Sequence, residues 1–116
     1  LAVCYIEGLG VEKDYKKAFE YLKKAADQGH TMAQNALGKC FLKGEGVEAD
    51  FGKAFEYFKR AADQGYAYAQ YNLGVCYIEG FGVEKADQRK AIEYWEKAAN
   101  QGLDAAKEAL KNQGIR

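Results

Sequence analysis

Proline and serine are absent from this 116-residue chain, and histidine occurs once, as His30. With no proline to stop helices, termination falls to the 13 glycines, a combination that suits an all-α chain. With no serine and no partnered histidine, the Ser/His arrangement that nucleophilic catalysis needs cannot be assembled. Lys plus Arg equals Asp plus Glu at 17 each, so there is no basic footprint for phosphate, and nucleic acid is excluded as an expected partner. No apolar run approaches the ~20 residues that cross a bilayer, so the chain reads as soluble with no membrane partner. It opens on Leu1 without a charged and apolar leader. Residue 1 also reads as the middle of a helix, so the expectation is a native N-terminus further upstream and a localisation that cannot be read.

What the chain has is a repeat. LAVCYIEGLGVEK at 1–13 returns as LGVCYIEGFGVEK at 73–85. The period is 36: Gly8, Gly44 and Gly80 keep it, as do Gly10, Gly46 and Gly82, Val11, Val47 and Val83, and Cys4, Cys40 and Cys76. AADQG at 25–29 recurs at 61–65, then as AANQG at 98–102, where one residue inserted between Val83 and Asp87 makes the spacing 37. A fixed period of this size predicts a solenoid.

Each unit reads as two helices. Ala33, Leu37, Cys40, Phe41 and Gly44 form a stripe at helical spacing, the first or A helix, ended by Gly44 in a left-handed turn that Gly46 keeps tight and Val47 anchors. The second or B helix is expected to open on Asp14, Asp50 and Asp87 as N-caps and to end at Gly29, Gly65 and Gly102. Helices of about a dozen residues are marginal alone, so stacked units must stabilise one another. The units are placed at about 1–29 with a truncated first helix, 30–65 and 66–102, with a capping helix at 103–113.

The strings A-Q-x-x-L-G-x-x-Y-x-x-G-x-G-V and D-x-x-K-A-x-x-Y-x-x-x-A-A-x-Q-G, complete from Ala69 to Gly102, resemble the Sel-one-like repeat family, a relative of the tetratricopeptide repeat. The resemblance covers essentially the whole chain. It implies a right-handed α-solenoid of antiparallel helix pairs whose A helices line a concave face, and it implies protein binding and scaffolding with no chemistry and no cofactor. Two places depart from the pattern. The array starts partway through an A helix, and Lys111 stands where Gly74 allows close packing. With Lys107 and Glu108, Lys111 gives the last helix the polar surface of a terminal cap.

Bland readings account for most candidate sites. Stacked helices lie about 10 Å apart, further than the ~7 Å that a disulfide allows between Cα atoms. The three cysteines are therefore expected to be free small hydrophobes in the core. No C-x-x-C occurs, and no metal site is expected. Some relatives in the resembling family pair cysteines through the A-A-x-Q-G region, which here is alanine, and that favours a reducing compartment. His30 reads as a loop residue, the paired glycines as turns, and Tyr5, Phe41, Tyr77, Tyr21, Tyr57, Tyr94, Leu22, Phe58 and Trp95 as core. The lysines of the B helices read as a solvated face.

The period fails on the other face of the A helices: Val3, Ile6 and Glu7, then Met32, Asn35, Lys39, Leu42 and Lys43, then Tyr68, Tyr71, Asn72, Val75, Ile78 and Glu79. By analogy with the tetratricopeptide repeat this is the concave face, and it keeps apolar and amphipathic side chains of the kind enriched at binding hot spots. The expectation is a non-catalytic scaffold that binds a peptide or partner protein here, with Tyr68, Tyr71 and Met32 as apolar anchors and Asn35, Asn72, Lys39 and Lys43 orienting backbone or carboxylate groups. The alternative is a structural segment of a longer array that packs on missing N-terminal repeats or self-associates weakly through its truncated end, where Phe19 and Leu22 would be partly uncovered.

Overall fold

A computed structural model of the chain describes residues 12–114, with side chains from residue 15 onward. Its regular structure is helical throughout the described residues: α1 Glu12–Asp27, α2 Thr31–Lys43, α3 Phe51–Asp63, α4 Ala67–Glu79, α5 Gln88–Asn100 and α6 Asp104–Asn112. The A helices are α2, α4 and α6, and the B helices are α1, α3 and α5. Each packs chiefly on the helix before and the helix after it, and the whole measures 42 × 29 × 25 Å. An elongated body with neighbour-only packing is an α-solenoid. The Tyr5, Cys4 and Val3 to Glu7 readings and the truncated first helix lie outside the described residues.

Two junctions alternate, and each has its own chemistry. From A to B, Gly44 and Gly80 take φ of 71° and 78°, and their amides bond back to the Cys40 and Cys76 carbonyls. The next helix then opens on an aspartate. Asp50 accepts from the Lys53 amide at 3.0 Å and Asp87 from the Lys90 amide at 3.1 Å, satisfying first-turn donors that have no helical partner. The first unit differs, because α1 starts at Glu12 and carries Asp14 inside the helix rather than ahead of it; no described side-chain contact accounts for this. From B to A, the junction is a three-residue Schellman turn: Gly65 at φ 86° follows the helix, and Tyr66 N–H reaches back to the Ala61 carbonyl at 3.2 Å.

Gly46 and Gly82 do more than keep the turn tight. Both have positive φ, and a Cβ on Gly46 would fall on the carbonyl oxygen of Tyr15, one on Gly82 on that of Phe51. Each A-to-B turn therefore sits directly on the first turn of the preceding B helix, and the missing side chain lets units dock. Inside a unit a second glycine does the same between helices. A Cβ on Gly38 would meet the Phe58 ring at 2.7 Å, and one on Gly74 would meet the Trp95 indole. Phe58 and Trp95 are buried there, and Trp95 Nε1 donates to the Tyr71 carbonyl at 3.1 Å.

The core is built from one aromatic motif used twice. Phe41 takes the edge of Phe19 from the previous unit at 5.5 Å and stacks on Tyr57 of its own unit at 5.7 Å. Tyr77 takes the edge of Phe55 at 5.4 Å and stacks on Tyr94 at 5.7 Å. Lys53 and Lys90 lie over the Phe41 and Tyr77 rings, and Arg60 and Lys97 over Tyr57 and Tyr94, so the charged stems of the B helices also cover aromatic surface. Tyr57 and Tyr94 are consequently half-buried. Tyr21 departs from the core reading, with 51% of its surface exposed. Phe19 and Leu22 are half-buried and packed against the core.

Cys40 and Cys76 are free and buried. Burial pushes their thiols up to about 11 and about 12, with Glu45 adding to the effect at Cys40. A thiol held in its neutral form is a poor nucleophile and metal ligand.

Candidate functional site

The A-helix face is where α2 and α4 approach through side chains rather than backbone. Its register follows from 3.6 residues per turn: Met32, Asn35, Lys39, Leu42 and Lys43 on α2, and Tyr68, Tyr71, Asn72, Val75, Ile78 and Glu79 on α4. The side chains meet very different fates. Met32 is 67% exposed and Tyr68 54%, and the Tyr68 ring leans on Tyr66 at 5.6 Å. Tyr71 is half-buried and faces the Trp95 indole at 6.5 Å. Leu42, Val75 and Ile78 are half-buried, each packed on the core by one flank.

Asn35 is only 7% exposed. Its Oδ1 accepts from Nδ2 of Asn72 at 2.9 Å, a bond between successive units. The two amides thus form one joined group on the floor of the face. Lys39, Lys43 and Glu79 are exposed at its edge. The A-helix side chains in which the repeats differ most are brought together here, and no described ion pair neutralises Lys39 or Lys43.

A second polar system escaped sequence reasoning. Gln64 Nε2 donates to Gln34 Oε1 at 2.9 Å and Thr31 Oγ1 to Gln64 Oε1 at 2.6 Å, while Gln34 Nε2 reaches the Ala26 carbonyl at 3.3 Å. One unit on, Gln101 Nε2 donates to Gln70 Oε1 and to the Gly65 carbonyl, both at 2.9 Å. The glutamines of A-Q and of Q-G therefore clasp the two helices of one unit, while Gln34 and Gln101 also reach carbonyls of the unit before, those of Ala26 and Gly65. The signal was their shared period, which sequence shows as recurrence without showing who bonds to whom. At the place of Gln34 and Gln70, α6 carries Lys107.

His30 sits exposed at the B-to-A turn, with no side-chain bond to the helix that follows. Among the described residues no three His, Cys, Asp or Glu converge as a metal would require, and no helix is long and apolar enough to cross a membrane. An open trough of about 1380 Å³ lies between α5 and α6, lined by Glu96, Asn100, Asp104, Lys107, Glu108 and Lys111 among others. It lies beyond the last B helix, where Lys111 replaces the glycine that would accept another aromatic ring.

Comparison with known proteins agrees with this architecture. The Sel1 repeat model matches residues 1–30, 31–66 and 67–103. Among solved structures, the chain is similar to a Sel1 repeat protein from Oxalobacter formigenes, with 40% identity and a TM-score of 0.80 over 96% of this chain and 83% of that one. It is similar to a protective antigen of uropathogenic Escherichia coli displaying an SLR fold, with 35% identity and a TM-score of 0.85 over 98% of this chain and 25% of that one. Cysteine rich protein B of Helicobacter pylori follows at 27% identity and 0.78, over 94% and 80%. No curated protein matches the chain.

Proposed function

The chain belongs to the Sel1 repeat family, whose members are generally protein-interaction scaffolds, and from that premise we propose that it binds a peptide segment of a partner protein on its A-helix face. One observation carries the reading. Met32 and Tyr68 occupy the same place in successive units and are both more than half exposed, on the one face where the repeats disagree in sequence. Most of the large apolar side chains that recur with the period are instead packed in or against the core. Large apolar groups held open to water on a rigid helical scaffold are suited to burial against a partner, and the scaffold lowers the ordering cost of binding.

The division of roles is physical. Tyr68 and Met32 supply apolar area, with Tyr71 forming the half-buried floor behind them. The Asn35 and Asn72 amides are positioned to meet backbone groups, and Lys39 and Lys43 to meet a carboxylate. A face of two full A helices is small, so the complex is expected in the micromolar range, about −8 kcal/mol. No chemistry is required of any residue, in keeping with a family that is typically non-catalytic. The polar outer surface of α6, with Lys107, Glu108 and Lys111, serves as the cap of the array.

The test is capture from the source cell's lysate by the wild-type chain beside a Tyr68→Ala, Lys39→Glu variant, with circular dichroism establishing equal helicity. A protein captured by the first and lost by the second supports the face as the binding site. Recovery of the same proteins by both, or only of further copies of the chain, would sink the reading and leave a spacer segment that self-associates.

A further inference from the structure

The A-helix face has an order along the helices as well as across them. At one end stand Met32 on α2 and Tyr68 on α4, exposed and apolar. One turn on lies the Asn35 and Asn72 pair, bonded through a single hydrogen bond, Asn72 Nδ2 to Asn35 Oδ1. Asn35 Nδ2 and Asn72 Oδ1 make no further hydrogen bond among the described residues. The pair thus has a donor to spare on the buried Asn35, where an unmet polar group is costly, and an acceptor to spare on the half-buried Asn72. A further turn on come Lys39 and Lys43, exposed, four residues apart on one helix side, with no ion pair among the described residues. Their counterparts on α4 are Val75 and Glu79, so positive charge is confined to the α2 side.

This sequence of surfaces specifies a ligand chemistry, and the argument rests on the reading that the A-helix face is the binding face. From Met32 to Lys39 is seven residues, about 10.5 Å at 1.5 Å per residue. An extended chain covers that length in about three residues at 3.3 Å each. An extended segment also presents free N–H and C=O groups to the spare donor and acceptor of the amide pair, whereas a helical segment has spent its own. We propose that the face takes an extended peptide with a bulky apolar residue against Met32 and Tyr68 and an acidic residue about three positions away against Lys39 and Lys43, its intervening backbone crossing the Asn35 and Asn72 pair. Glu79 opposes a long acidic tract, so the acid is one or two residues, not a run.

The experiment is selection from a displayed library of random linear peptides on the wild-type chain and on Lys39→Glu, Lys43→Glu, both verified as folded by circular dichroism. On the wild-type chain, peptides with an apolar and an acidic residue three apart, in either chain direction, are expected to be enriched about tenfold over those with the same residues at other spacings. On the charge-reversed chain a basic residue takes the place of the acid. Acidic residues enriched at no preferred distance, the same motif on both chains, or no linear peptide at all would each overturn the inference. The lysate capture separates the two claims: a partner lost with Tyr68→Ala, Lys39→Glu beside a failed selection rejects the extended acidic motif alone. A partner retained by that variant rejects the binding face itself.

Discussion

Two sides of α4 illustrate how the molecule divides its labour. One side carries Leu73, Gly74, Cys76 and Tyr77, which repeat Leu37, Gly38, Cys40 and Phe41 of α2 nearly residue for residue, and all are buried. The other carries Tyr68, Tyr71, Val75, Ile78 and Glu79 where α2 has Met32, Asn35, Lys39, Leu42 and Lys43. On the first side each residue faces the same surroundings in every unit, because the neighbour is another copy of the unit. On the second, Met32, Lys39, Lys43, Tyr68 and Glu79 are exposed, and packing against another unit does not enforce their repetition. Loss of periodicity therefore accompanies exposure at Met32, Lys39, Lys43, Tyr68 and Glu79.

Substitutions should separate the two sides by the size of their effect on stability. Trp95→Ala removes a buried ring and its bond to the Tyr71 carbonyl, and is expected to cost about 4 kcal/mol in denaturant unfolding. Gly46→Ala places a methyl group against the Tyr15 backbone at positive φ, and about 3 kcal/mol should be lost, with local loosening between α1 and α2 visible by hydrogen exchange. A loss under about 1 kcal/mol would show that the docking of units tolerates displacement.

The core thiols give a pH test. The ordinary cysteine value is 9.0, and in the folded chain Cys76 lies at about 12. The folded state thus holds its proton where the unfolded state has released it, so this contribution is intact below pH ~9 and is lost as pH rises toward ~12, at about 1.4 kcal/mol per pH unit for one thiol. Cys76→Ala should flatten the alkaline fall in stability measured in urea by that amount. An unchanged slope would mean the site opens before it titrates.

Asp50→Ala should cost about 1 kcal/mol, through loss of the bond to the Lys53 amide, read as a lower urea midpoint with an unchanged slope. Smallest of all on stability is Tyr68→Ala, expected within about 0.5 kcal/mol of wild type while weakening partner binding by about 1 to 3 kcal/mol. If Tyr68→Ala unfolded the chain as Trp95→Ala does, the contrast between the two sides of α4 would be lost.

Much of the fold is legible in the primary structure because its signals are local. The Asp50 and Asp87 caps and the left-handed Gly44 and Gly80 each depend on a few adjacent residues, and they appear where spacing places them. Gly46 was legible only as a turn residue, since its contact with Tyr15 joins two units. The glutamine clasps escaped because their partners are distant along the chain: Gln70 and Gln101 are 31 residues apart and meet only when α4 packs against α5. On the A-helix face, spacing picked out which residues share a surface. It could not tell that Asn35 would be buried and tied to Asn72, that Tyr71 would lean on Trp95, or that Met32 and Tyr68 would stand clear.

The sequence by itself determined the repeat, the helix pairs, the caps and turns, the free cysteines of the core and the face on which periodicity lapses. These follow from backbone geometry and from apolar spacing, both of which act over a few residues. Only the tertiary structure decided how far each side chain on that face is exposed, which amides pair across units, and why two glycines per unit are needed for packing. Exposure and pairing depend on the distance between helices that are far apart along the chain, and that distance is set when the units stack.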